Sequence, residues 1–135
     1  LSNTHTWKVW TGVGCGAFLG TEARYLIGLA VPETSGSVPW TTLAVNITGS
    51  FILGYLTSRW MARPAPFWLR AAVGPGILGS FTTFSSVMLT LTILSTDGST
   101  GWAATYLALS VVLGLGAAVA GLSLGRRTRR EASNE

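Results

Sequence analysis

Charge is what this sequence has least of. Its 135 residues include nine lysines and arginines, five acidic residues and one histidine, so charged residues make up only 10% of the chain. A soluble fold of this size carries about a quarter of its residues as charges, which excludes an ordinary soluble domain. Cysteine is equally scarce: Cys15 is single, which rules out an internal disulfide and any cysteine metal cluster. It reads as a small apolar residue in a helix. With His5 as the sole histidine, no serine, histidine and acid arrangement exists, and nothing else points to an enzyme. Long polar stretches are missing too. The connections "PETSGSVP", "MARPAPF" and "STDGSTG" are turn-like in composition and leave no room for a soluble domain.

What is present is apolar. Hydrophobic residues make up 48% of the chain and glycine occurs 17 times. Four long apolar stretches run roughly over 7–31, 40–60, 68–94 and 102–124. Each is about 20 residues or longer, and at about 1.5 Å of rise per residue each can cross a hydrocarbon core of about 30 Å. The expected architecture is an all-α membrane protein of four transmembrane helices forming one domain over 1–125, followed by a basic, disordered tail over 126–135. The tryptophans agree independently. Trp7, Trp10, Trp40, Trp60, Trp68 and Trp102 all fall at or within a turn of a span end, where an indole packs among headgroups with its N–H wet. The first stretch runs too long, and lacks the small-x-small exit, for a cleaved signal peptide.

The positive charges fix an orientation. With four spans, the N-terminus, the second connection and the C-terminus share one side. Lys8, Arg59, Arg63, Arg70, Arg126, Arg127, Arg129 and Arg130 all lie there, and the opposite connections hold no basic residue. Positive residues stay cytoplasmic, which predicts a multi-pass cell-membrane protein with both termini inside. The pI near 10.0 therefore reflects topology and anionic lipid, with no nucleic-acid site implied.

Inside the spans, small and polar residues recur every four positions. Gly12, Gly16, Gly20, Arg24 and Gly28 line one face of the first, as small-xxx-small contacts do. Arg24 does not belong to packing: a guanidinium at that depth needs water, carbonyls or a counter-charge, so it reads as part of a vestibule that attracts anions or as a residue snorkelling to the headgroups. In the second span Asn46, Ser50, Gly54 and Ser58 repeat the period, and the Asn46 amide is a group that lipid cannot satisfy. It either bridges helices or serves an ion. Tyr106, Ser110, Gly114 and Ala118 continue the pattern in the fourth. The third span contains "GPGILGSFTTFSS", whose formal G-x-G-x-x-G follows no strand and is no dinucleotide signature. Glycines and proline followed by clustered hydroxyls predict a helix broken near mid-membrane, where freed backbone groups line a watery or ion-filled site.

Taken together, "GCGAFLGTEARY", "TTLAVNITGSFILGYL" and "GILGSFTTFSS" in a four-span layout resemble the Fluc (CrcB) fluoride channels over nearly the whole chain. The resemblance implies an antiparallel dimer of four-helix subunits that exports fluoride passively, with a structural sodium ion at the dimer centre. It implies that Arg24 stands in an aqueous vestibule and that Asn46 donates its amide to fluoride. It places Phe84 as a pore phenylalanine, with Phe81, Thr83, Ser85 and Ser86 beside it and Tyr106 and Ser110 on the same polar track. The sodium ligands it implies are the backbone carbonyls of Gly79 and Thr82. Physically, such a pore must replace the water of a small, strongly hydrated anion with amide, hydroxyl and aromatic-edge donors.

Two positions depart from the family's F-T-T-F-S-T-F-x-x-E pattern: Val87 stands where a second pore phenylalanine is expected and Thr90 where a glutamate is. Gly114 likewise replaces an expected hydroxyl. A homodimer of opposed subunits also needs one sequence that inserts both ways, whereas this charge distribution fixes a single orientation. The expectation is therefore a heterodimer with an oppositely oriented paralogue, with one intact pore and one degenerate pore. Two other readings stay open. One is a non-conducting partner of a paralogous channel. The other is a small multidrug transporter, which would need Glu22 as its buried carboxylate and lacks the aromatic cage for a cationic drug.

Overall fold

The computed structural model describes residues 3–33 and 38–131, and side chains over 6–33 and 38–127. Among the described residues every regular element is helical: α1 (Asn3–Ala30), α2 (Trp40–Ala62), α3 (Phe67–Ala71), a π-helical turn pair (Ala72–Leu78), α4 (Gly79–Phe81), α5 (Ser85–Thr96) and α6 (Thr100–Glu131). The stretches Phe67–Thr96 and Thr100–Arg127 are long and apolar enough to cross a membrane by length and composition. Helices α1 and α2, at 28 and 23 residues, have the length alone.

Local chemistry sets the ends. Arg63 is extended (φ −132°, ψ 99°) because Pro64 follows it and disfavours helical geometry. Pro39 and Pro66 precede α2 and α3, where their missing N–H costs nothing. Between α5 and α6, Gly98 takes φ 76°, Ser99 N–H donates to Leu94 O at 2.8 Å and Gly98 N–H to Ser95 O at 3.3 Å. That is a Schellman closure, and its left-handed residue is glycine because a Cβ would be strained there. Helix α6 runs on through Arg126 and Arg127 to Glu131, since nothing in "GRRTRRE" breaks a helix and arginine favours one. Residues 132–135 lie outside the described residues.

Pro75 explains the π-helical segment. In an α-helix its ring would clash with the carbonyl of Ala71, and it has no N–H to donate. Widening to i→i+5 bonds, as in Gly79 N–H to Gly74 O, carries the chain past the proline without breaking it.

The glycine stripes do the packing, as their period predicts, by letting backbones touch. A Cβ on Gly12 would meet Ala72, one on Gly16 the Ala72 carbonyl, and one on Gly20 the Ile77 carbonyl and the Ser80 hydroxyl. Numbers rise together along both segments, so α1 lies parallel to the third helical stretch. Likewise Gly54 abuts Ala118, Gly121 abuts Phe51 and Tyr55, and Gly125 abuts Ser58, so α2 lies parallel to α6. Consecutive helices therefore alternate in direction, while α1 and α2 barely touch. The α1 stripe ends at Gly20, because nothing lies within 4 Å of a Cβ at Gly28.

The same contacts gather the basic residues at one end. Ser58 meets Gly125, Gly12 meets Trp68, and the Arg70 guanidinium lies 5.9 Å from the Trp60 ring, so Lys8, Arg63, Arg70, Arg126 and Arg127 share that end of the bundle. Large apolar side chains cover the outside, Trp10 at 72% exposure among them. The buried core is small and centres on Leu43, Val87 and Tyr106. Hydroxyls on the helices turn inward to their own backbone: Thr90, Thr92 and Thr105 each donate to the carbonyl four residues earlier, which satisfies them without water.

Candidate functional site

Helical geometry stops at Phe81 and resumes at Ser85. Thr82 is extended (φ −75°, ψ 154°), although its own N–H and hydroxyl still reach Leu78 O at 3.0 and 2.9 Å. The turn is held from outside by Asn46. Its Nδ2 donates to Thr83 O at 2.9 Å, and its Oδ1 accepts from Thr83 N–H at 2.8 Å. An amide matches a peptide group in this two-point fashion because it presents a donor and an acceptor side by side. Its second N–H is not part of that pair.

This clamp has a consequence for the carbonyls. In a continuous helix Thr83 N–H would bond Gly79 O, but Asn46 takes it; Ser86 N–H would bond Thr82 O, but it donates to Thr83 Oγ1 at 3.2 Å. Gly79 and Thr82 thus each lose the donor that helical geometry would supply. These are the two residues whose carbonyls the family resemblance implies as sodium ligands.

Hydroxyls cluster on the same turn. Thr83 Oγ1 lies 3.1 Å from Ser85 Oγ and donates to Ser86 Oγ at 3.1 Å. Ser86 is thereby the terminal donor of a short hydroxyl chain. Ser80 turns the other way and donates to Gly76 O at 2.8 Å.

Two cavities flank the turn. The first, about 380 Å³, is lined by Arg24, Tyr25, Glu33, Thr42, Thr83 and Ser86 among others. The second, about 530 Å³, is lined by Asn46, Gly79, Thr82, Thr83, Phe84 and Ser110 among others. Thr83 belongs to both linings, and it is only 8% exposed. Thr83 is thus the residue at which the two cavities adjoin.

The expected site residues divide accordingly. Asn46, Thr83, Phe84, Ser110, Gly79 and Thr82 come together on the second cavity, while Arg24 and Ser86 line the first. Phe84 is 73% exposed and so presents its ring outward from the subunit. Phe81 packs toward Gly49, and Ser85 joins only through Thr83. Tyr106 lines neither cavity: it is buried among Leu43 and Val87, with its hydroxyl directed to Pro39 O at 3.5 Å. The Ser110 hydroxyl is buried without a hydrogen-bond partner of good geometry. Val87 is half of the Tyr106 contact as well as a wall of the second cavity, and Thr90 bonds its own helix. Glu22 is exposed and lines neither cavity.

Sequence reasoning missed Glu33. Its Oε1 accepts the Thr42 N–H at 2.8 Å and its Oε2 lies 3.5 Å from the Thr42 hydroxyl. An acidic residue ahead of a helix start was visible as a signal, but the separation of nine positions hid the pairing.

A bundle that is all-helical among the described residues, with an apolar exterior and two stretches long enough to span a bilayer, has the architecture of a membrane protein. The comparisons carry this further: residues 11–122 match the family model described as CrcB-like protein, Camphor Resistance (CrcB). The chain is 41% identical over 125 residues to "Fluoride-specific ion channel FluC 2" of Geobacillus kaustophilus, covering 91% of this chain and 97% of that relative. It is 43% identical over 122 residues to "Fluoride-specific ion channel FluC" of Rhodospirillum centenum, covering 88% and 96%. A third relative of the same name, from Agrobacterium fabrum, is 41% identical over 116 residues, covering 84% of this chain and 93% of that one. The chain belongs to the CrcB-like family, whose members are membrane channel proteins and not enzymes.

Proposed function

We propose that this chain is a subunit of a fluoride-selective channel that lets fluoride leave the cell passively. The observation that carries the reading is the meeting of two cavities at Thr83, with Asn46 clamping that residue in place. The names of the relatives supply the ion. All four helical stretches span the membrane, the third broken near its middle, and both termini face the cytoplasm, because the basic end of the bundle belongs inside. With both termini inside, the Arg24 end of α1 faces out, so fluoride leaving the cell meets the Asn46 N–H that the clamp leaves over, passes Thr83 and Ser86, and exits through the vestibule beside Arg24. Each of these groups replaces one water of a small, strongly hydrated ion. Phe84, turned outward, presents a positive ring edge to a pore completed by the second subunit.

A structural sodium ion fits the chain. The Gly79 and Thr82 carbonyls have lost their helical donors, and bare carbonyl oxygens are what a hard monovalent cation requires. Sodium held there would neutralise converging dipoles where two subunits meet. The arrangement is an antiparallel dimer, and the charge bias favours a heterodimer with an oppositely oriented paralogue over a homodimer.

The test is fluoride efflux from liposomes holding purified protein, alone and with a candidate paralogue, in sodium or in N-methylglucamine. Flux in sodium that falls when sodium is withdrawn is the expected result. Efflux no faster than from empty liposomes in every combination would remove the channel reading. Robust flux from the chain alone would remove the partner requirement. The orientation is checked separately with a C-terminal topology reporter, which is expected to report the cytoplasmic side only; equal populations on both sides would refute a fixed orientation.

A further inference from the structure

Arg24 and Glu33 are the charged residues lining the first cavity among the described residues. The resemblance gives Glu33 no role, and an anion path has no evident use for a carboxylate at its mouth. Its position is nonetheless held: Oε1 accepts the N–H of Thr42, the third residue of α2, at 2.8 Å, with the Thr42 hydroxyl 3.5 Å from Oε2. That N–H is one of the donors a helix start leaves unpaired, and the start carries a partial positive charge. Without Glu33, the α2 terminus and Arg24 would both draw anions into the same space. With it, the carboxylate occupies one attractor and opposes the other.

We infer that Glu33 is a throttle: a fixed negative charge that takes the α2 terminus for itself and lowers anion occupancy in the Arg24 vestibule. The inference rests on the channel reading above. It makes Glu33 a rate-setting residue that acts on the ion through space, and it differs from a plain helix cap in one measurable way, since a cap works through hydrogen bonding and a throttle through charge. Glu33→Gln separates them, because glutamine keeps an amide oxygen for the Thr42 N–H and loses the charge.

The experiment is fluoride efflux from liposomes for the wild type and Glu33→Gln, in whichever subunit combination conducts. At an ionic strength of about 20 mM the variant should be faster by roughly two- to five-fold, the effect of one nearby unit charge in a watery setting. At about 1 M, where the Debye length is about 3 Å, the two should converge. Equal or slower flux from Glu33→Gln at low salt, with wild-type flux intact, overturns the throttle and leaves the channel. A gain that persists undiminished at high salt also overturns it, since screening must remove a charge effect. Absence of flux from the wild type defeats the channel reading and this inference with it. Should Glu33→Gln lower the folded yield, Glu33→Asn, one methylene shorter, removes the same charge and is read against the same outcomes.

Discussion

Asn46→Leu should bring fluoride efflux down to the leak of empty liposomes and also destabilise the subunit. Leucine keeps the branched four-atom outline of asparagine but neither of its polar groups. The Thr83 N–H and C=O, now bonded at 2.8 and 2.9 Å, would be left without partners inside a poorly hydrated turn. At about 1–3 kcal/mol for each buried group left unsatisfied, the expected cost is about 3 kcal/mol. Asn46→Asp distinguishes holding from conducting. Its carboxylate can still accept the Thr83 N–H, yet it faces the Thr83 carbonyl with a second acceptor and puts a negative charge on the anion path. Flux should vanish with it at least as completely as with leucine. Efflux within about twofold of wild type for Asn46→Asp would contradict a path along Thr83, because a unit charge in a low-dielectric setting is worth far more than that.

The second large effect concerns packing. Gly16→Val should prevent assembly of the bundle, because its Cβ would fall on the Ala72 carbonyl oxygen; Gly121→Val should do the same against Phe51 and Tyr55. A carbonyl oxygen in a helix cannot swing aside as a flexible side chain can, so the two helices must separate along their length. The expected cost is roughly 3 kcal/mol or more for each, at the upper end for overpacking. Gly14→Val is the matched control. Nothing lies within 4 Å of a Cβ there, and its effect should stay within about 0.5 kcal/mol. Size-exclusion profiles and thermal unfolding in detergent would read all three. A monodisperse Gly16→Val with a wild-type melting profile would refute the backbone contact.

Much of this was written in the chain's spacing. The helical stretches, the Gly12, Gly16 and Gly20 stripe and the Gly54 to Ser58 face follow from a four-residue period, and a helix face is a local property that a sequence displays directly. The hydroxyl-rich interruption was foreseeable from "GSFTTFSS" for the same reason. Its location after Phe81 was not, since Pro75 looks like the breaking point and the chain instead passes it by widening into a π-helix. The partner of Thr83 stayed hidden as well: Asn46 is 37 positions away, and only the register between two helices makes them meet. Tyr106 shows the opposite failure. Periodicity put it in line with Ser110, but one turn along α6 separates a residue walled in by Leu43 and Val87 from one on the cavity. Gly121 and Gly125 carry the close contact with α2 off the line of Tyr106, Ser110, Gly114 and Ala118, and only the register between the two helices reveals it.

The parallel pairing of α1 with the third stretch, and of α2 with α6, bears on how the protein is made. Helices α1 and α2 barely touch, so a growing polypeptide that has delivered its first two helices has little for them to hold. Helix α1 waits for Ala72 and Ile77 to arrive, and α2 waits for Ala118 and Gly121 of α6. Truncation before the third stretch should therefore leave both helices unassembled, a natural substrate for membrane quality-control proteases, and truncation between that stretch and α6 should leave α2 without its main partner.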